Sequence, residues 1–179
     1  TRYPLVTGVQ TCALPIFEDV IAVFSQIIKE IPAKLLLIGD GPERSHMEKV
    51  CREFNTCDWV TFLGKQEAIE EILSIGDLFI LPSESESFGL AALEAMACEV
   101  PVISSNAGGI PEVNIHGFTG YLSEVGDVDD MAQNAISLLK DPNLLATFKK
   151  NALIQAHKFD LKEILLQYEA IYHRVAAKN

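Results

Sequence analysis

At 179 residues, 49% of them hydrophobic and 22% charged, the chain has material for one sizeable core and too much apolar content for a disordered segment. Its formal charge of −11, with no Lys/Arg cluster set against it, excludes a general nucleic-acid surface but not a basic pocket for a phosphorylated small molecule. No apolar run approaches the roughly 20 residues of a membrane-spanning helix, and no basic region precedes a signal-like apolar core, so a cytoplasmic setting is expected.

Residues 1–16 contain Pro4, Gly8 and Pro15 and show no stable periodicity. They read as an irregular leader with one short strand near Leu5–Val9. The stretch also resembles translated adapter sequence, which predicts that it is foreign to the domain that follows. From Phe17 the signals alternate between helix and strand. Phe17, Val20, Ile21, Phe24, Ile27 and Ile28 line one face of a helix that must end before Pro32. Lys34–Ile38 is an almost wholly apolar strand, as a parallel sheet covered on both faces requires. The turn Gly39-Asp40-Gly41-Pro42 leads into a helix over residues 43–53. A strand over 59–63 stops at Gly64, a short helix spans 68–75, and Leu78–Leu81 is a further buried strand. Beyond it come a helix at Leu90–Ala97, a strand over 100–104, the turn Ala107-Gly108-Gly109-Ile110-Pro111 and an edge strand over 120–122. Asp127 caps a helix running through Leu139, and two more helices cover about 143–156 and Leu161–Ala176. Strands interleaved with helices in this way predict an open, doubly wound α/β sheet, whose ligands bind beyond the carboxyl ends of the strands.

The most informative run is Glu86-Ser87-Phe88-Gly89-Leu90-Ala91-Ala92-Leu93-Glu94, which follows a strand and opens an apolar helix. Amides of Phe88, Gly89 and Leu90 fall at the first helical turn, where unpaired N–H groups and the helix dipole favour phosphate oxygens. Gly89 removes a side chain where a ligand must come close. Glu94 lies in an otherwise apolar stretch, so its carboxylate needs solvent or a partner, and it suits the two vicinal hydroxyls of a ribose. Glu86, nearer the phosphates, suits a sugar hydroxyl and can offset positive charge developing at an anomeric carbon. The plainer alternative is a helix with an ordinary polar start. Gly39 and Gly64 sit at neighbouring turns that could border a base, with Lys65 adding charge, or they are simple sheet-to-helix turns with a surface lysine. The pair Gly108-Gly109 lets a loop approach bound sugar or phosphates. Asp77 reads as serving a strand entrance, and Asp127, Asp129 and Asp130 as a solvated capping cluster. His46, His116, His157 and His173 form no ligand set, and Cys12, Cys51, Cys57 and Cys98 have neither metal-ligand nor disulfide-framework spacing, so reduced, incidental thiols and no metal are expected.

These residues, with Glu94-Ala95-Met96-Ala97-Cys98, Pro101-Val102-Ile103, Gly108-Gly109-Ile110-Pro111-Glu112 and Gly117-Phe118-Thr119-Gly120, resemble the retaining GT-B glycosyltransferases of glycosyltransferase family 4. The resemblance covers roughly residues 17–172. It implies a Rossmann-like open parallel sheet forming the C-terminal donor-binding domain of a two-domain enzyme, over residues 17–157. Residues 158–179 would then be a helix returning towards an absent N-terminal domain. Glu86 would contact the donor sugar, the amides of Phe88, Gly89 and Leu90 the diphosphate, and Glu94 the ribose.

Within that class, Leu81 to Gly89, Ser104-Ser105-Asn106 and Pro111 to Gly117 are similar to the bacterial malate-directed N-acetylglucosaminyltransferases of bacillithiol biosynthesis. That narrower likeness implies transfer of N-acetylglucosamine from its UDP donor to the hydroxyl of L-malate. Retention would follow a front-face route assisted by the donor phosphate, with no cofactor and no essential metal. The acceptor pocket would belong to the N-terminal domain, so this part alone should be inactive. The chain departs from the family pattern at Glu99, where glycine is usual. It departs again ahead of Phe17, where a strand and a basic loop with an Arg and a Lys are expected; Arg2 is too far upstream for either role. Loss of that strand would bare a sheet edge and favour association into a homo-oligomer. Three other functions fit the same donor motif: a UDP-sugar transferase for surface glycans or glycolipids, a noncatalytic nucleotide-sugar-binding module, and a sugar-nucleotide epimerase.

Overall fold

The computed structural model describes residues 4–9 and 17–176. Six short strands form one parallel sheet: β1 (Leu5–Val9), β2 (Lys34–Ile38), β3 (Val60–Gly64), β4 (Leu78–Leu81), β5 (Val102–Ser105) and β6 (Gly120–Ser123), in the order β3-β2-β1-β4-β5-β6. The helices are α1 (Phe17–Glu30), α2 (Arg44–Glu53), α3 (Ile69–Ser74), α4 (Leu90–Ala97), α5 (Ile110–Val113), α6 (Val128–Lys140), α7 (Pro142–His157) and α8 (Leu161–Ala176), with a 3₁₀ turn at Cys57–Trp59.

The period-two geometry of a strand divides β4 between two cores. Leu78 and Ile80 join Val6, Leu35 and Ile103 against α1 and α6, through Ile21, Phe24, Ile27, Met131 and Leu138. Phe79 and Leu81 join Val102 against α4, α5 and α7, through Ala95, Met96, Ile110 and Ala152. All four residues of β4 are buried, which is why the strand is apolar throughout rather than alternating.

The expectation of a missing central strand is overturned. Leu5–Val9 occupies the middle of the sheet, paired with β2 from Leu5 opposite Lys34 to Val9 opposite Ile38, and with β4 at Val6 and Thr7. The physical reason is local: Val6 and Thr7 are β-branched and fully buried. Asp77 fastens the start of the strand. Its amide donates to Leu5 O (2.7 Å), its Oδ2 accepts from Leu5 N–H (3.0 Å), and Lys149 Nζ lies 2.9 Å from its Oδ1. Asp77 therefore serves a strand entrance, as its position suggested. The sheet edges are β3 and β6, so the argument for association through a bared central edge falls away. Residues 10–16, also read as leader, lie outside the described residues.

Two boundaries differ from the expected ones. The strand after α4 begins at Val102 rather than residue 100, because Val100 N–H is taken by Ala95 O (3.0 Å) in the helix terminus. A one-turn helix, α5, stands where a loop was expected after Gly109, with Pro111 in its first turn. At the far end of the chain, α8 buries none of its residues: Leu161 is 77% and Tyr172 72% exposed. Among the described residues no helix is long and apolar enough to cross a membrane.

Candidate functional site

Strand order reverses between β1 and β4, and the segment after β4 rises at this switch point. That segment carries Glu86, Ser87 and Phe88 to the start of α4. Its path is set by the turn after β5. Gly109 N–H donates to Glu86 O at 2.9 Å. A Cβ built on Gly108 would lie 1.9 Å from Glu86 O, and one on Gly109 2.4 Å from Ser87 O. The close approach that this glycine pair permits is thus to the protein itself: it forms the floor on which the Glu86 loop rests. Ser83 N–H, at the root of the loop, donates to Ser105 Oγ (3.0 Å), while the buried Ser83 hydroxyl has no partner among the described residues.

Gly89 begins α4 in the left-handed region (φ 94°), and no side-chain hydrogen bond caps the helix. Leu90 is 62% exposed, so nothing apolar closes over this end. The Phe88 ring is tied down instead, edge-on to Phe159 with centroids 5.6 Å apart. Backbone amides of the first turn therefore remain available to a ligand while the loop's side chain is anchored. Glu86 is half-buried beside them.

Glu94 is exposed, which resolves the problem of a carboxylate in an apolar helix through solvent. It stands about 6 Å of helical rise beyond Leu90. It lines a groove of about 320 Å³ between α3 and α4, shared with Glu67, Ile69, Glu70, Leu73 and Cys98. The structure thereby brings Glu94 to the segment that follows Gly64 and Lys65. Lys65 itself is exposed, and Gly39 N–H bonds Gly64 O at 2.9 Å, joining the two turns expected to border a base. Gly39 and Gly64 are thus adjacent, Glu94 lies near the continuation of the second turn, and Glu86 is at the opposite end of α4.

A carboxylate group near the loop was not foreseen. Asp19, in the first turn of α1, has its carboxyl held above the usual range, chiefly by burial and then by Glu18 and Glu84. Glu18 also meets His46 Nε2 at 2.6 Å. Asp19 and Glu84 are distant in sequence, and only the packing of α1 beside the root of the loop reveals their proximity. Among the described residues, no group of three or more His, Cys, Asp or Glu could hold a metal ion.

Residues 17–155 match the family model of the glycosyl transferases group 1. N-acetyl-alpha-D-glucosaminyl L-malate synthase of Bacillus anthracis is 48% identical over 159 residues, covering 88% of this chain and 42% of that protein. Sulfoquinovosyl transferase SQD2 of Arabidopsis thaliana is 33% identical over 147 residues, covering 80% of this chain and 28% of that one. Among solved structures, Anabaena HepE in complex with UDP and glucose superposes with a TM-score of 0.82 at 25% identity, over 96% of this chain and 49% of that one. The chain thus spans less than half the length of each of these proteins.

Proposed function

The chain belongs to the group 1 glycosyl transferases, with a Rossmann-like sheet of the GT-B kind, and on that premise we propose that it is the donor half of a UDP-N-acetylglucosamine:L-malate transferase. The observation that carries the reading is the arrangement of α4. Its uncapped start rests on the Gly108-Gly109 floor beside Glu86, and Glu94 faces the groove next to the β3–α3 segment.

In this reading the nucleoside lies in the groove between α3 and α4. Glu94 accepts hydrogen bonds from both ribose hydroxyls, and the turns at Gly39, Gly64 and Lys65 border the base. The diphosphate meets the amides of Phe88, Gly89 and Leu90, where the helix dipole offsets its charge. Glu86 accepts from a hydroxyl of the transferred sugar and offsets positive charge at its anomeric carbon as the phosphate leaves. The malate hydroxyl attacks from the face the leaving phosphate vacates and gives its proton to a phosphate oxygen, so configuration is retained without a metal.

L-malate sits in the cleft with the N-terminal domain. The helix α8, with its exposed Leu165, Tyr168, Ile171 and Tyr172, packs towards that domain, and this chain without that domain is inactive. Residues 1–16 are foreign to the domain, with Leu5–Val9 supplying the central strand. The sequence between Arg2 and Lys29 holds no Lys or Arg, so this chain binds the donor weakly for want of a basic loop. The setting is cytoplasmic.

The test is transfer by the complete protein, with L-malate set against other hydroxyl acceptors. Turnover of the UDP donor with another acceptor, and never with L-malate, rejects the malate assignment. The second reading is a UDP-sugar transferase for cell-surface glycans or glycolipids, since the 33% identity to a sulfoquinovosyl transferase extends the likeness beyond the malate-directed enzyme. Glu86→Gln in the complete protein should lower transfer more than UDP affinity, since its role is in the transition state. Equal losses would move it to nucleotide binding.

A further inference from the structure

The loop that leads from β4 into α4 is held from two sides. From below, Gly109 N–H bonds Glu86 O at 2.9 Å, and the missing Cβ of Gly109 gives Ser87 its seat. From the side, the Phe88 ring meets Phe159 edge-on, with centroids 5.6 Å apart and planes at 76°. An edge-to-face pair sets the orientation of a ring as well as burying it, because the positive edge of one ring faces the negative face of the other. Fixing the side chain of residue 88 also fixes the amides on either side of its Cα. Phe159 is itself tied down, between α7 and α8. Its N–H donates to Ala156 O (3.0 Å), while Asp160 O accepts from Ile164 N–H (3.0 Å) and Asp160 Oδ1 from Lys162 N–H (2.9 Å). α7 is seated in turn through buried Ala152, Gln155 and Ala156, and Gln155 Nε2 donates to Glu112 O of α5 (3.4 Å). Since α5 begins directly after Gly109, the floor under the loop and the ring beside it belong to one packed assembly. Phe159 is half-buried and lines a groove of about 320 Å³ between α4 and α7, with Leu93, Leu153 and Ala156, so it can be shortened without opening the core.

We propose that Phe159 is a positioning residue for the donor diphosphate. By clasping Phe88 it holds the amides of Phe88, Gly89 and Leu90 at the start of α4 in the arrangement that receives phosphate oxygens. It touches no ligand and acts through Phe88. For what those amides bind, the inference rests on the donor reading. Donors that are already ordered cost nothing further to order when the ligand arrives. A loop released from its clasp therefore binds the same phosphates more weakly.

The test titrates the full chain with UDP by calorimetry, in wild type, Phe159→Ala, Phe159→Leu and Phe159→Tyr. Amide hydrogen exchange is followed alongside, in peptides over residues 84–90, over 91–97 and over α7. Phe159→Ala and Phe159→Leu should weaken UDP about three- to tenfold. Phe159→Tyr, which keeps the ring, should bind as wild type does. In the two variants without a ring, exchange should quicken over 84–90 and keep its wild-type rate over 91–97 and in α7. If Phe159 served core packing alone, Phe159→Leu would bind like wild type, or exchange would rise over 91–97 and α7 as well; either result overturns the proposal. Equal UDP affinity in every variant also overturns it, and leaves the donor reading standing. A folded wild-type chain that takes up no UDP removes the donor reading and this inference with it.

Discussion

The two ends of α4 solve the same problem in opposite ways. At its start, Gly89 takes a left-handed conformation that glycine adopts freely, and the helix is left uncapped. At its end, Glu99 takes a left-handed conformation (φ 61°) that costs a residue with a Cβ roughly 1–2 kcal/mol. There two of the terminal carbonyls are satisfied: Glu99 N–H bonds Met96 O and Val100 N–H bonds Ala95 O, both at 3.0 Å. One end is unstrained but unsatisfied, and the other satisfied but strained. Unsatisfied amides at an exposed helix start are what a phosphate needs. Strain at a terminus closed by its own backbone bonds has no such use, and nothing in the structure explains why glycine is absent there.

Substitutions can set the two ends against each other. The largest effect is expected at Gly108→Ala, because its Cβ would overlap Glu86 O and the loop would have to move. Strain and overpacking together predict a loss of about 2–4 kcal/mol in denaturant unfolding, with loss of UDP binding. A Gly108→Ala protein that stays stable and still binds UDP would show that the floor is not needed. Glu94→Gln, at an exposed position, should leave unfolding unchanged and weaken UDP about tenfold by calorimetry, through loss of charge-assisted hydrogen bonds. At the other end, Glu99→Gly should stabilise the fold by about 1 kcal/mol, raising the melting temperature by a few degrees, without altering UDP affinity. A change in binding instead would mean that the two ends are not independent.

The smallest effect concerns the carboxylates beside the loop. The Asp19 carboxyl is raised, chiefly by burial, so the folded chain holds that proton more tightly than the unfolded chain does. Ionising it therefore costs stability. The cost is present in full above the folded value and is relieved as pH falls through that value towards the unfolded one. Asp19→Asn should melt slightly higher at neutral pH, with the difference shrinking as the pH enters the carboxylate range. A difference that is constant with pH would assign the effect to packing.

Much of this was legible in the sequence, because apolar runs bounded by glycine and proline are what a doubly covered parallel sheet requires. The run at Leu78–Leu81 and the turn beginning at Pro82 are enough to put the Glu86 loop at a strand end. Other features depend on tertiary packing that no local pattern encodes. Gly108 and Gly109 signalled a close approach, but not that the approaching group was the Glu86 carbonyl. Glu94 meets the Glu67–Ile69 segment only because α3 packs beside α4. The strand at Leu5–Val9 was legible, but its central place in the sheet was missed for another reason. Leu5, Val6 and Thr7 lie between residues with no periodicity, yet a parallel sheet asks only for a short β-prone run, which these residues supply.

Whether the open end of α4 and Glu94 together form a nucleotide-sugar site is tested most directly by calorimetric titration. The chain is titrated with the UDP form of N-acetylglucosamine, wild type and Glu94→Gln side by side. Weak, saturable one-site binding that the substitution reduces further is the expected result. A folded wild-type chain that takes up no donor, or one whose affinity Glu94→Gln leaves unchanged, would contradict it.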